Sequence, residues 1–281
     1  MAFPTTTMTS TTLANVIPEI WTDKINDFLR AKLVVTNHFW DLSDELTKGG
    51  DIFHIPQVTE MTANSKTVAT AVTLNANTDT NIDLTVTTWY ECSFAIEDRE
   101  SRLVLASYNA QEIYARNAAY TVAAVLEDAL IALFDNFSQT AGTSAAAMVD
   151  SDIRSAIQQL RVANVDLDDV ALFLSPKAAW TDLMAIDRFV LANESGVNSA
   201  TKGFIGKVYG IPVYESSRIG ATTGSAQNAM AAKDALVMAH TPVRVQANYI
   251  PEYLSTLVTA DIQYGVIENR DTSGVWIATA S

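Results

Sequence analysis

The sequence predicts an α+β fold: an extended β-hairpin, one long helix, then a mixed α/β region closed by further strands. Three observations predict it. The stretch from Gln57 to Thr88 holds ten threonines, a single lysine (Lys66) and no aromatic residue. Within it Ile82-Asp83-Leu84-Thr85-Val86-Thr87 alternates apolar and polar, the period of a strand with one buried face. From about Ser107 to Phe137 the chain is alanine-rich, with apolar residues three and four apart, which makes one helix face. From Asp152 onward a helix, a buried strand and another helix follow one another.

In chain order, residues 1–12 are threonine-rich and weakly patterned, a flexible or partner-ordered end. Ile17 to Val35 reads as an amphipathic helix, with Ile20, Trp21, Ile25, Phe28 and Leu29 near helical spacing and Pro18 in its first turn. Lys48-Gly49-Gly50-Asp51 breaks the chain, and Ile52-Phe53-His54-Ile55 begins the hairpin. Asn75 to Asp79 forms a turn or loop. A two-stranded hairpin is marginal alone in water, so the thin apolar set Val58, Met61, Val68, Val72, Leu74, Ile82, Leu84 and Val86 must rest on something else. An arm reaching onto neighbouring subunits meets that requirement.

Trp89 to Phe94 is strand-like, and Cys92 within it reads as a small buried hydrophobe. Ile96 to Ser101 is a polar corner. The long helix is expected to turn Ala115, Ala119, Val122, Leu126, Leu130, Leu133 and Phe137 inward. Its expected 31 residues would form a rod of about 46 Å at about 1.5 Å per residue. A helix from Asp152 to Val162 is capped by Asp150 or Ser151. Val170 to Leu174 is a continuous apolar run, as in a buried strand. Ser175-Pro176 starts a helix from Lys177 to Ile186. Loops follow at Gly196–Lys202 and Gly220–Gln227, a strand-turn-strand at Lys207–Tyr214, and strands at Ala235–Met238, Val258–Val266 and Val275–Ala278.

Composition narrows the function. Apolar residues make up 48% of the 281, enough for a substantial core, and charged residues only 18%. That is below the usual quarter, and neutral surface suits subunit contacts. The net charge of −14 lacks the basic footprint that neutralises phosphates. The start carries no secretory pattern, and no segment reads as a membrane span of about 20 apolar residues. The expected setting is a soluble protein made in the cytoplasm.

Chemistry-bearing patterns are mostly missing. His38, His54 and His240 stand far apart and read as surface or interface residues. Gly203-Phe204-Ile205-Gly206-Lys207 is too short for a phosphate loop and reads as a turn. Asn164, Asp166, Asp168 and Asp169 lack the glycine and glutamate of a calcium loop. Glu194-Ser195-Gly196 lacks the first glycine of a nucleophile elbow. No catalytic residue, metal site or cofactor is predicted.

The order of these pieces resembles a tailed-bacteriophage major capsid protein of the HK97 type. Gly49 to Pro56 and the threonine-rich hairpin resemble the family's extended E-loop. Ile96-Glu97-Asp98-Arg99 and Leu126-Glu127-Asp128-Ala129-Leu130 resemble the start and body of the spine helix in the P-domain. Leu174 to Trp180 and Gly206 to Ser217 resemble parts of the A-domain. Gln263-Tyr264-Gly265-Val266 through Val275-Trp276-Ile277 resembles the final P-domain strands. The resemblance implies an N-terminal arm (1–50), an E-loop hairpin (51–91), a P-domain with its spine helix (92–145), an A-domain (146–242) and return strands to the P-domain (243–281).

It further implies a non-enzymatic subunit of hexamers and pentamers in an icosahedral shell. The shell would enclose double-stranded DNA without sequence-specific binding and touch no membrane. Scaffolding, portal and decoration proteins would be partners, and host cytoplasm the place of assembly. The expected inter-subunit contacts are Trp21, Ile25, Phe28, Val68, Val72, Leu74, Ile82 and Leu84. Lys66 is the one E-loop lysine for the covalent cross-link some members make, and nothing in the sequence indicates that it does so. The competing readings are an encapsulin-like nanocompartment shell, a cytoplasmic α/β enzyme of the hydrolase type and a secreted adhesin.

Overall fold

Strand and helix periods sort the apolar residues onto the faces of two sheets and a small hairpin. The computed structural model describes residues 33–46, 49–76, 78–99, 110–186, 204–222 and 225–280. Trp21, Ile25 and Phe28, like most of the expected helix from Ile17 to Val35, lie outside the described residues. The strands are β1 (Trp40–Asp41), β2 (Ile52–Gln57), β3 (Thr80–Thr85), β4 (Thr88–Glu97), β5 (Thr140–Gly142), β6 (Val170–Leu174), β7 (Phe204–Val208), β8 (Ile211–Glu215), β9 (Ala221–Thr222), β10 (Ser225–Ala232), β11 (Leu236–His240), β12 (Arg244–Ile250), β13 (Ser255–Glu268) and β14 (Gly274–Ala280). The helices are α1 (Ser43–Leu46), α2 (Ala110–Ile131) and α3 (Asp150–Val162).

Strand β13 organises the first sheet. Ser255–Asp261 pairs with β12 on one side, and Ser255–Tyr264 pairs with β4 on the other. Its far end, Tyr264–Glu268, pairs with β11, and β1 joins β11 in parallel. Ala260, Ile262 and Tyr264 are buried in one cluster with Ala118, Val122, Leu126 and Leu130 of α2. The helix therefore covers one face of this sheet.

Within the described residues α2 spans 22 residues, or about 33 Å; it ends at Ile131 rather than at the expected Phe137, and its buried row differs. Ala118, Val122, Leu126, Leu130, Phe134 and Phe137 are buried, whereas Ala115, Ala119 and Leu133 are partly exposed. The chain tightens into a 3-10 turn at Phe134–Asn136, which carries Phe134 rather than Leu133 inward. Contrary to the sequence expectation, Glu112–Asn136 is long and apolar enough to cross a membrane by length and composition. Here that apolar face packs on the first sheet.

The second sheet runs β5-β14-β10-β6-β8-β7, with β9 beside β10. Alternation in β6 sends Ala171 and Phe173 into the α2 cluster, and Val170, Leu172 and Leu174 into a second cluster under α3. Two sequence expectations change here. The inner strand β10 replaces part of an expected loop, because its Ser-Ala-Gln-Asn-Ala-Met-Ala-Ala sequence lacks β-branched and aromatic strand formers. Burial between β14 and β6 makes the strand in their place. Strand β14, read together with β13 as the final strands of one domain, pairs instead in the second sheet with β10 and β5. The turn at Asp271–Ser273 carries the chain across to the second sheet. Gly274 follows, packed so closely that an added Cβ would lie 2.3 Å from the Phe137 ring.

The expected helix from Lys177 to Ile186 is a π-helical turn, Ala178–Asp182, followed by a 3-10 turn. Buried Asp182 accepts the Met148 N–H at 2.9 Å, and the Trp180 indole donates to Glu215 at 2.7 Å. These tertiary bonds hold both ends of the widened turn. Residues 204–208 form strand β7, not the turn read from the two glycines.

Candidate assembly surface

Hairpin β2–β3 pairs in register from Ile52–Thr85 to Gln57–Thr80. Its apolar face meets the first sheet on the side away from α2. Ile55, Leu84 and Val86 form a buried cluster with Val237 and Ala239, joined by Phe53, Ile82 and Ile267. The hairpin backbone lies so near β13 that a Cβ on Gly265 would stand 2.2 Å from the Thr85 carbonyl oxygen. Two of the expected contact residues lie in this seat. Leu84 is fully buried in this chain's own core and is not an exposed contact. Ile82 is packed against the same cluster. A strand's alternation says that one face is covered; it does not say by which molecule.

Beyond Gln57 the chain leaves the sheet as a finger that returns at Thr80. Val58, Met61, Val68, Val72 and Leu74 are exposed along it, Val68 by 93% and Leu74 by 87%. Neutral side chains tie its two legs together: Thr59 Oγ1 donates to the Thr78 carbonyl at 2.7 Å, and Asn75 Nδ2 to the Thr62 carbonyl at 2.6 Å. At the tip Lys66 Nζ donates to the Thr67 carbonyl at 3.0 Å and also to Thr70. The ammonium thus closes the tip turn around Ala69, whose φ is 63°.

At the hairpin base a cleft of about 880 Å³ is lined by Trp40, Ile55, Gln57, Glu268, Arg270 and Asp271, among others. Gln57 Nε2 donates to the Asn269 carbonyl at 3.0 Å, linking hairpin to turn. Partial burial and a hydrogen bond to Asp271 push the Glu268 carboxyl up to about 7. Burial works against Asp271 too, but the Ser138 hydroxyl and N–H hold its carboxyl below the ordinary range.

A raised carboxyl pKa means that the folded chain holds a proton the unfolded chain releases. Glu268's contribution is fully present below the ordinary value of 4.5 and lost as pH rises through about 7. Urea unfolding midpoints measured across that window are expected to fall less steeply with pH in Glu268→Gln than in the unmodified chain. Identical slopes would show that this proton is not linked to folding.

The far edge of β4 and the open face of the first sheet form a second exposed area. Trp89 is 63% exposed and donates its indole N–H to Asp261 at 3.2 Å. Arg244 grips Asp261 with two bonds of 3.0 Å and holds that carboxyl below its usual range, with help from the indole. Trp89 and Tyr90 near the start of β4, and Tyr253 and Leu254 beside its far end, are exposed and were absent from the expected contacts. The available signal was Trp89 and Tyr90 standing beside acidic Glu91 within a strand pattern.

The histidines do not converge. His38, read as a surface or interface residue, instead sits edge-on to Phe39 and Phe173 within the chain and hydrogen-bonds the Ala231 carbonyl at 3.2 Å. Burial lowers its pKa. His54 is exposed and bonds Asp83 at 2.5 Å. His240 contacts the Thr241 carbonyl at 3.1 Å. Asp166 accepts the Asp168 N–H and caps a short 3-10 turn, as expected for a solvated turn. Among the described residues no cluster of histidine, cysteine or carboxylates is arranged to hold a metal.

No protein-family model and no curated protein matches the sequence. Solved structures do. A chain from Mycobacterium phage Che8 superposes with a TM-score of 0.77 at 22% identity, covering 93% of this chain and 96% of its own length. A chain from the capsid of Cyanophage P-SCSP1u gives 0.75 at 12% identity, with 96% and 94% covered. A chain from the mature capsid of bacteriophage PhiM1 gives 0.74 at 15% identity, with 94% and 92% covered.

The chain has the HK97-like capsid fold. The match extends over nearly all of it, so the finger, the first sheet with α2 and the second sheet are all parts of that capsid fold. Val68, Val72 and Leu74 stand outward on the finger. Ile82 and Leu84 belong to its seat.

Proposed function

We propose that this chain is the major capsid subunit of a tailed phage. It self-assembles through hexamers and pentamers into an icosahedral shell that encloses double-stranded DNA. The observation that carries this reading is a capsid fold spanning nearly the whole chain, joined to a finger whose apolar side chains have no core of their own. Repeated copies of one modest contact close into a symmetric shell, and apolar burial contributes about 25 cal/mol per Å² before ordering costs.

The role is structural rather than catalytic. Residues 1–50 act as an arm and 51–91 as the E-loop. The spine helix belongs to a P-domain beginning at residue 92, and an A-domain occupies most of 146–242. Assembly takes place in the host cytoplasm with scaffolding, portal and decoration proteins as partners. The finger's Val68, Val72 and Leu74 dock on a neighbouring copy. The net charge of −14 keeps enclosed DNA from adhering to the wall.

Electron microscopy of the purified protein tests this directly. Closed particles of uniform diameter are expected, and particles from the native source are expected to hold DNA. A monomer at every concentration would refute the shell. A protein cargo in place of DNA would refute its content.

A further inference from the structure

We propose that Glu127 is a positioning residue that pins residues 34–36 to α2 and so sets the point at which the preceding chain joins the body of the subunit. Its effect on assembly rests on the shell reading above; its effect on the chain's geometry does not. Glu127 lies one turn before the C-terminal end of α2 and is completely buried. Its Oε1 accepts the N–H of Val34 at 2.8 Å and that of Val35 at 3.2 Å. Its Oε2 accepts from Val35 N at 3.2 Å, and from Thr36 N and Thr36 Oγ1 at 3.3 Å each. Three successive N–H groups turned to one point form a concave anion cradle, and both carboxylate oxygens fill it. Among the described residues Glu127 makes no ion pair; three backbone N–H groups and the Thr36 hydroxyl hold it.

The surroundings make this a fixed point of the chain. After the cradle, His38 N bonds the Val35 carbonyl at 3.1 Å, Phe39 enters the aromatic core, and Trp40 N bonds the Lys233 carbonyl at 3.1 Å. On the next residue of α2, Asp128 receives Arg218 Nε at 2.7 Å, and a second guanidinium nitrogen bonds it as well. Arg218 lies in the turn after β8 of the second sheet. Adjacent carboxylates on one helical turn therefore hold two separate pieces, the root at 34–36 and a turn of the second sheet. Buried and fully bonded, Glu127 holds the root at 34–36 in one place.

Glu127→Gln preserves shape but offers one acceptor oxygen, and its amide N–H₂ faces donors. Hydrogen exchange of the full-length chain reads the result. The amides of residues 34–36 are expected to exchange at least about tenfold faster, the equivalent of losing one charge-assisted bond. Exchange in β6 should be unchanged, and the yield of closed shells should fall by an order of magnitude. Thr36→Val removes only the hydroxyl bond and is expected to give the same pattern more weakly; it decides the matter if Glu127→Gln does not fold. Unchanged exchange at 34–36 would overturn the anchor. Faster exchange with undiminished shells would overturn its part in assembly. If the unmodified chain itself forms no shells, the shell reading fails, and exchange alone judges the anchor.

Discussion

Deleting residues 59–79 is expected to abolish closed shells while leaving a soluble, folded subunit. The boundaries follow from the seat of the hairpin. Leu84 and Val86 are buried against Val237 and Ala239, and β3 is paired along its whole length with β2. A cut reaching beyond residue 79 would therefore unfold the subunit and say nothing about assembly. The finger between those strands contributes exposed apolar side chains and mostly side-chain hydrogen bonds of its own. A short turn joining Val58 to Thr80 should lower the unfolding temperature of the free subunit by only a few degrees. Sedimentation and electron microscopy would read the loss of particles. Leu74→Arg is a milder form of the same test. Leu74 is 87% exposed, so a charge there costs the monomer little, yet it would have to be desolvated on docking. Shells of normal yield and size from the deletion would end the claim that the finger joins copies.

The second large effect concerns the subunit alone. Phe173 is 1% exposed and touches four rings: His38 at 5.3 Å, Phe39 and Phe134 at 5.7 Å, and Tyr214 at 5.8 Å between centroids. It sits where β6 of the second sheet meets the end of α2. Phe173→Ala removes the shared ring and leaves a void the others cannot close, at a cost of about 3–5 kcal/mol. For a chain of this size that lowers the unfolding temperature by about 10 °C. Urea midpoints should drop accordingly, and Phe173→Leu should lose about half as much. A change below about 1 kcal/mol in Phe173→Ala would mean that the surrounding core collapses into the space.

What the sequence made legible follows from signal strength. Strict alternation at Ile82–Thr87 and the run Val170–Leu174 announce strands, and Ser175 announces a cap, because each pattern is nearly sufficient alone. The Ala178 N–H does meet Ser175 Oγ, at 3.4 Å. Strand β10 was illegible because alanine, asparagine and glutamine do not mark strands; only its neighbours on both sides make it one. The buried row of α2 was misplaced because alanines at 115, 118 and 119 differ little in apolarity, so the phase of the face rests on distant packing. For the candidate surface, Val68, Val72 and Leu74 were legible as apolar residues without local company. Leu84 looked the same by pattern, and only the sheet beneath it tells the two apart. Trp89 was passed over because aromatic residues in a strand fit a core equally well.

The order in which the polypeptide is made gives the topology one more meaning. Strand β13 lies between β12 and β4 in one sheet, and β14 lies between β5 and β10 in the other. Both emerge from the ribosome after every strand they join. At about 5–20 residues per second, the 26 residues from Ser255 to Ala280 take about 1–5 s to appear. Until then a nascent chain carries two gapped sheets and no platform under its hairpin. Neither sheet, and so neither face of the hairpin's seat, is complete before that point.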